Sequence, residues 1–320
     1  MAREIMTVNG PITADQVTGV LIHEHVAFGY AGCQNIRSGF NKADCLAEAV
    51  KAAEMVKPYG INTFVDATPG DCGRDPLLLQ EVAEKTGMNV IAITGYYHEA
   101  EGSHYFQYRM TQGRGEEEVY DMMMDEFTNG IGDTGVKPGI IKVSTGLGKI
   151  SDYENMFLQA AARVSKELDV NIITHTQGGT MASEQAKRFI EAGVNPKRVM
   201  IGHLNNCTSI PELLKVFSYG VYAGFDRFGM PYEVVGTTDE EQYAAVLAML
   251  GCGFGDRILF SHDLDVYGRG LWGNPPIHKT SDRTWGQIHN VTFPALAKYG
   301  VSEAQLEAFV KANAKNFLFG

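Results

Sequence analysis

His23 and His25, two apart in Leu21-Ile22-His23-Glu24-His25, are the first residues whose types and spacing can do chemistry. In an extended strand, positions i and i+2 share a face, so both imidazoles point one way and Glu24 the other. Two imidazoles so placed can share one metal ion. Four more residues of this kind follow: Lys142 in Gly139-Ile140-Ile141-Lys142, His175 in Thr174-His175-Thr176, His203 in Ile201-Gly202-His203 and Asp263 in Ser261-His262-Asp263. Histidine with carboxylate suits zinc, and the same donors accept cobalt, manganese or iron. Four histidines and an aspartate exceed what one tetrahedral catalytic zinc needs, which points to two divalent ions. Lys142 would be costly among them as a buried ammonium. Carbamylation of its amine by carbon dioxide removes that cost and creates an anionic, bidentate oxygen ligand able to bridge two metals. His262 has the opposite parity to Asp263 and is expected to pack behind the strand. His98, His104, His278 and His289 read as ordinary core or surface histidines.

Such residues need a frame that gathers them. Eight short apolar runs read as strands, at 17–26, 62–68, 89–97, 139–145, 170–176, 199–204, 220–226 and 257–263. Segments of helical period lie between them, including 46–56, 77–85, 154–168, 183–192, 210–217 and 242–250, with a last helix starting near Ser302. Near-continuous apolar strands alternating with helices imply a parallel sheet covered on its faces. Eight such units close into an α/β (β/α)8 TIM barrel, and 320 residues fit one with modest loops. An open doubly wound sheet is the rival, but no G-x-G-x-x-G follows the first strand and there is no P-loop. No Pro/Ser-rich linker or composition break divides the chain, so 1–320 reads as one domain. Barrel enzymes work at the C-terminal ends of their strands. The six residues above fall at or near those ends.

Composition excludes other classes. The formal net charge is −11, with no Lys/Arg-rich block. That argues against a nucleic-acid binder and against a protein held on anionic lipid. Five cysteines without C-x-x-C spacing fit reduced thiols in a cytosol, each serving as a small buried hydrophobe. The N-terminus lacks an apolar signal region, and no window reaches the roughly 18 apolar residues of a membrane helix. A cytoplasmic protein without a membrane partner is the expectation.

The ordered set His23-x-His25, Lys142, His175, His203, Asp263, together with Val65-Asp66 and Gly73-Arg74-Asp75, resembles the phosphotriesterase family of the amidohydrolase superfamily, specifically its phosphotriesterase-like lactonase branch. The likeness covers essentially the whole chain. It implies a binuclear metal centre, with His23, His25 and Asp263 on the buried ion and His175 and His203 on the more exposed one. Carboxylated Lys142 and a hydroxide would bridge them. Such a centre activates water and polarises a carbonyl or phosphoryl oxygen. Asp263 is then the candidate to carry the proton to the leaving group.

Tyr97 falls where lactonases of this family place a tyrosine, while the true phosphotriesterases have tryptophan there. Asp226-Arg227-Phe228-Gly229 is similar to the lactonases' Asp-Arg-Tyr-Gly, and Arg227 would orient a substrate carbonyl or gate the pocket. These features favour a small-molecule lactone, acyl-homoserine lactones included, with aryl-ester and organophosphate hydrolysis as side activities. The rival readings are a phosphotriesterase, another ester or amide hydrolase of the family, and a metal-binding barrel that acts as a binding protein. The resemblance also implies a homodimer. An aspartate common after the sixth-strand histidine is replaced by Asn205-Asn206, so no proton relay is expected through that position. The loop after strand eight carries Tyr267, Arg269, Leu271 and Trp272. Arg269 would either be solvent-exposed or bind a phosphorylated or carboxylated substrate. Phe28-Gly29-Tyr30 would line the pocket or a subunit interface.

Overall fold

A computed structural model describes residues 3–33, 36, 40–270 and 283–320. A short antiparallel hairpin, β1 (Glu4–Thr7) and β2 (Gly10–Thr13), precedes the main sheet. The sheet comprises β3 (Val20–Phe28), β4 (Thr63–Asp66), β5 (Asn89–Thr94), β6 (Ile140–Thr145), β7 (Asn171–Thr176), β8 (Val199–Ile201), β9 (Tyr222–Phe225), β10 (Ile258–Phe260) and β11 (Asp265–Gly268). All nine run parallel, in the order β10-β9-β8-β7-β6-β5-β4-β3-β11. Helices fill the connections, and the architecture is the (β/α)8 barrel that the alternation of elements predicts.

The seam explains the ninth strand. The eighth barrel position is split into β10 and β11 by residues 261–264. Across the break, the Asp263 amide donates to the His23 carbonyl at 3.0 Å, and the His25 amide donates to the Leu264 carbonyl at 3.2 Å. β11 then continues alongside β3, with Asp265 opposite His25. The residues that close the barrel are therefore neighbours in space of the His-x-His pair.

Two apolar layers hold the sheet. Inside the barrel, Val20, Ile22, Val65, Ile91, Ile93, Ile140, Ile173, Met200 and Leu259 pack together. Ile5 and Ile12 of the hairpin join Phe317 and Leu318 of the C-terminal helix in the same cluster and plug its bottom. Outside, Leu21, Phe64, Val90, Ile141, Ile172 and Ile201 meet the helices. This alternation follows from the two-residue strand period.

Several strands end earlier than their apolar runs suggest. β5, β8 and β10 stop at Thr94, Ile201 and Phe260. Gly95 at φ 124°, His203 at φ 59° and Asp263 at φ 48° are left-handed, which no strand residue adopts. Gly95 could be nothing else, because a Cβ there would lie 1.8 Å from the Lys142 carbonyl oxygen. Other differences have local causes. The first helix runs Lys42–Val56, starting before its apolar period, because the Asn41 side chain accepts from the Ala43 and Asp44 amides. The helix Gly115–Asn129 was not expected, since its three leading glutamates and Met122-Met123-Met124 run hide a periodic face. Four cysteines are buried, but Cys252 is exposed, against its reading as a buried hydrophobe. Among the described residues, no helix is long and apolar enough to cross a membrane.

Candidate functional site

At the C-terminal ends of the strands, one cavity is lined by His23, His25, Lys142, His175, His203 and Asp263, and also by Tyr97 and Arg227. The six candidate ligands come from five strand ends.

Local backbone geometry accounts for their convergence. β3 has a register irregularity between Leu21 and Glu24. A bulge of this kind lets Ile22 face the barrel core while His23 and His25 both line the cavity above it. Lys142 and His175 follow ordinary parity, two residues beyond the inward-facing Ile140 and Ile173. His203 does not, because strand parity would group it with the outward-facing Val199 and Ile201. Its left-handed backbone turns it back inward, at about 1–2 kcal/mol for a residue with a Cβ. Gly202 makes that turn possible: a Cβ there would sit 2.2 Å from the Thr174 carbonyl oxygen.

Among the described residues, ligand atoms of His23, His203 and Asp263 all lie within 4.8 Å of one another. Asp263 Oδ1 is 3.4 Å from His23 Nε2 and 3.1 Å from His25 Nε2. Lys142 Nζ, fully buried, donates to His23 Nε2 at 2.7 Å. The His175 ring lies 4.4 Å from that of His203, and its Nε2 is 2.7 Å from Gln177 Oε1.

Asp226 organises the pair of imidazoles behind this cluster. It is completely buried. Its Oδ1 accepts from His203 Nδ1 at 2.9 Å and from the His203 amide at 3.1 Å. Its Oδ2 lies 3.2 Å from His23 Nδ1. Because an ionised carboxylate only accepts, the proton of His203 must sit on Nδ1. His203 Nε2 is then a bare lone pair, buried and without a hydrogen-bond partner. An imidazole held from behind by a carboxylate, with its other nitrogen free, is the arrangement of a metal ligand. The residues present therefore fit the ions they would hold.

Charges in the cluster are strongly perturbed. Burial pushes the Lys142 ammonium down to about 8, against the pull of Asp263 and Asp226. Burial also drives His203 down to about 3, helped by Arg227, and lowers His23 and His175. His25 is the exception. Burial pulls it down, but the hydrogen bond and charge of Asp263 raise it overall. Burial would raise Asp226 and Asp263, yet the hydrogen-bonded imidazoles of His203 and His23 hold Asp226, and Arg227 with the neighbouring histidines holds Asp263, well below the ordinary carboxylate range.

These directions fix an acid response. A histidine lowered on folding takes up its proton more readily when unfolded, so stability is full above the unfolded value of about 6.5 and declines as pH falls. His203 acts this way between about 6.5 and about 3. His23 and His175 shift in the same sense, and His25 alone opposes them. Chelator-stripped protein should therefore lose melting temperature steadily from pH 7 to pH 5, at about 1.4 kcal/mol per pH unit for each net proton. Calorimetry across that range checks it. A flat or rising profile would contradict the assignment.

Arg227 Nε donates to Asp263 Oδ2 at 2.7 Å, and its amide donates to Asn205 Oδ1. Asn206 donates to the Val235 carbonyl. The two asparagines thus hold the loop after β9, while the carboxylate beside His203 is supplied by Asp226. Tyr97 lies against His175 at 5.0 Å between ring centres, and burial pushes its phenol well up. Asp71, itself buried, accepts from the Tyr97 and Ser103 amides and braces that loop. Phe28 and Tyr30 line the cavity.

Other residues were not anticipated. His98 is buried beside Tyr97 and His175; its ring nitrogens make no hydrogen bond among the described residues, and Nε2 lies 3.3 Å from Glu101 Oε2. Gln177 shares parity with His175, a signal that was in the sequence. Glu24 packs behind the strands with His262. It accepts from Ser261 Oγ, the His262 amide and His262 Nδ1, at 2.7, 2.8 and 2.8 Å. It thereby pins the segment that carries Asp263. Arg269 is neither solvent-exposed nor available to an anion, since it pairs with Asp75 and lies 4.0 Å over the Phe40 ring. Tyr267 is buried in β11. Leu271, Trp272 and His278 lie outside the described residues.

A parallel barrel with imidazoles, a lysine and a carboxylate gathered at its C-terminal mouth is the scaffold of a hydrolytic enzyme. The chain belongs to the phosphotriesterase family, whose model matches residues 3–318. That family is one of binuclear metal hydrolases. The chain is 31% identical over 317 residues to a phosphotriesterase homology protein of Mycobacterium tuberculosis, covering 98% of this chain and 96% of that one. It is 28% identical to the aryldialkylphosphatase of Saccharolobus solfataricus, with 96% of each chain covered. Among solved structures, the organophosphorus hydrolase from Deinococcus radiodurans superposes with a TM-score of 0.93 at 38% identity, covering 99% of this chain and 97% of that one. A mutant of a PTE-like lactonase from the same organism gives 0.92 at 37% identity, with 99% and 100% covered.

Proposed function

We propose that this phosphotriesterase-family hydrolase opens lactones, with aryl-ester and organophosphate hydrolysis as side activities. The observation that carries metal-dependent hydrolysis is His203, whose Nδ1 is fixed by Asp226 while its buried Nε2 has no partner. On this reading His23, His25 and Asp263 would hold one ion and His175 and His203 the other, with carboxylated Lys142 as a further anionic ligand. Zinc is the expected metal. Two such ions supply Lewis acidity and lower the pKa of water into the neutral range.

The chain's own groups do the rest. Asp263, held ionised by Arg227, receives the proton of the attacking water and passes it to the leaving oxygen. Arg227 keeps one carboxylate oxygen occupied, so that the other faces the imidazoles. The neutral phenol of Tyr97 stands beside His175 and can donate to the carbonyl oxygen as negative charge builds on it. The cavity, about 140 Å³, is below the usual range of about 300–1,000 Å³ for drug-sized ligands. It takes a small cyclic ester, with any larger substituent extending outward.

Steady-state assays on γ- and δ-lactones, aryl acetates and a dialkyl aryl phosphate test this. The lactone kcat/KM is expected to exceed the triester value by at least about tenfold, or about 1.4 kcal/mol. A triester value far above the lactones would reverse the substrate order. Absence of metal-dependent turnover on every substrate would favour a binding protein.

A further inference from the structure

The cavity at the candidate metal site meets a second cleft at two residues, Tyr30 and Glu101, which line both. The cleft, about 670 Å³, lies between the loop after β3 and the loop after β5. Ala31, Gly32, Ala100 and Gly102 along it leave it open. Because the inner cavity is small, a substrate larger than a bare ring must extend out of it.

Glu101 stands at the junction. Its carboxylate is 39% exposed, with Oε2 3.3 Å from His98 Nε2. The His98 ring lies 5.5 Å from that of His175. One imidazole therefore separates the carboxylate from a candidate ligand. Burial, and after it the charges of Glu101 and Asp265, push the Tyr30 phenol up to about 12. Among the described lining residues, Lys142 and Arg227 are the Lys and Arg side chains; the first is a candidate metal ligand and the second is taken up by Asp263.

We propose that Glu101 is a charge filter on the substrate's substituent, which runs from the inner cavity into this cleft. Esters and lactones with neutral or cationic substituents pass, and those ending in carboxylate or phosphate are rejected by like charge. The proposal rests on the hydrolase reading above.

Two hydroxamates differing only at the tail, hexanohydroxamate and adipate monohydroxamate, are titrated calorimetrically into the metal-loaded protein and its Glu101→Gln variant. Aryl esters of the same two acyl chains are assayed for turnover. The wild type should bind the neutral tail at least about tenfold more tightly, and Glu101→Gln should reduce that ratio about fivefold or more. The wild-type ratio should narrow with salt, as the screening length falls from about 10 Å at about 0.1 M to about 3 Å at about 1 M. Equal binding of both tails by the wild type, or a ratio unchanged in Glu101→Gln, overturns the filter. Ala100→Trp, which fills the cleft, should weaken hexanohydroxamate about tenfold relative to acetohydroxamate; an equal loss for both overturns the route. The ester assays separate the two levels. Tail discrimination in binding without ester turnover overturns the hydrolase reading and leaves the filter standing, whereas turnover with an unchanged ratio overturns the filter alone.

Discussion

Lys142→Ala is expected to reduce bound metal from two ions per chain to one or none, and to lower kcat/KM by about a thousandfold. The magnitude follows from the charge stabilisation of a metal centre, several kcal/mol, at about 1.36 kcal/mol per tenfold in rate. Lys142 is buried 2.7 Å from His23 Nε2, and burial brings its ammonium down to about 8. Its neutral amine, the form that reacts with carbon dioxide, is therefore within reach near neutral pH. As an unmodified ammonium it would place a positive charge where two cations are to sit, and removing it would then improve metal binding. The two accounts predict opposite signs. Truncation also leaves a cavity, at a cost of about 2–5 kcal/mol if it resembles other buried long-to-Ala changes. Lys142→Met keeps most of the stem and separates packing from ligation. Metal analysis of both variants, with a carbon-13 carbamate resonance sought in wild type grown on labelled bicarbonate, decides the matter. A folded Lys142→Ala protein with full metal content and activity would falsify the bridging role.

The parts of this site legible in the sequence were those governed by strand period and residue chemistry. Lys142 and His175 sit on regular strands, so their parity follows from spacing alone; the i, i+2 spacing of His23 and His25 was legible, but the bulge that turns both toward the cavity was not. His203 and Asp263 were recognisable by type and order, but their geometry was not. Both reach the cavity from left-handed backbone beyond the strand ends, which depends on the close approach at Gly202 and on the seam between β3 and β11. The bracing roles of Asp226 and Glu24 were not legible for a different reason. Each is a carboxylate whose partners are more than twenty residues away, His203 for the first and Ser261 and His262 for the second. No local pattern distinguishes such a residue from a solvated acid. The barrel itself was readable because eight βα units repeat one pattern. The hairpin and the split eighth strand were not, since four-residue strands carry too few positions to show a period.

Asp263→Asn is expected to lower kcat about 10²- to 10⁴-fold, the range for loss of a positioned general base, with a much smaller change in KM. The substitution keeps the shape of the side chain and removes its charge. In the wild type that carboxylate lies 3.4 and 3.1 Å from His23 and His25 and accepts from Arg227 at 2.7 Å. An amide cannot take up a proton at ordinary pH, so the transfer to the leaving oxygen is lost even where the amide oxygen still touches a metal. Arg227 also loses its ionic partner while remaining largely buried. Such a loss costs about 3–5 kcal/mol when one member of a fully buried pair is removed, and less here because part of the group is open to the cavity. A stability loss alone would lower the active fraction equally for every substrate. Proton delivery to the leaving group has a different signature: esters of good leaving groups, such as nitrophenols, should be affected least, and lactones with alkoxide leaving groups most. Pre-steady-state rates on the two classes, measured on protein of verified metal content, distinguish the causes. Equal losses for nitrophenyl ester and lactone would remove Asp263 from proton delivery to the leaving group and leave it as base toward the water or as ligand.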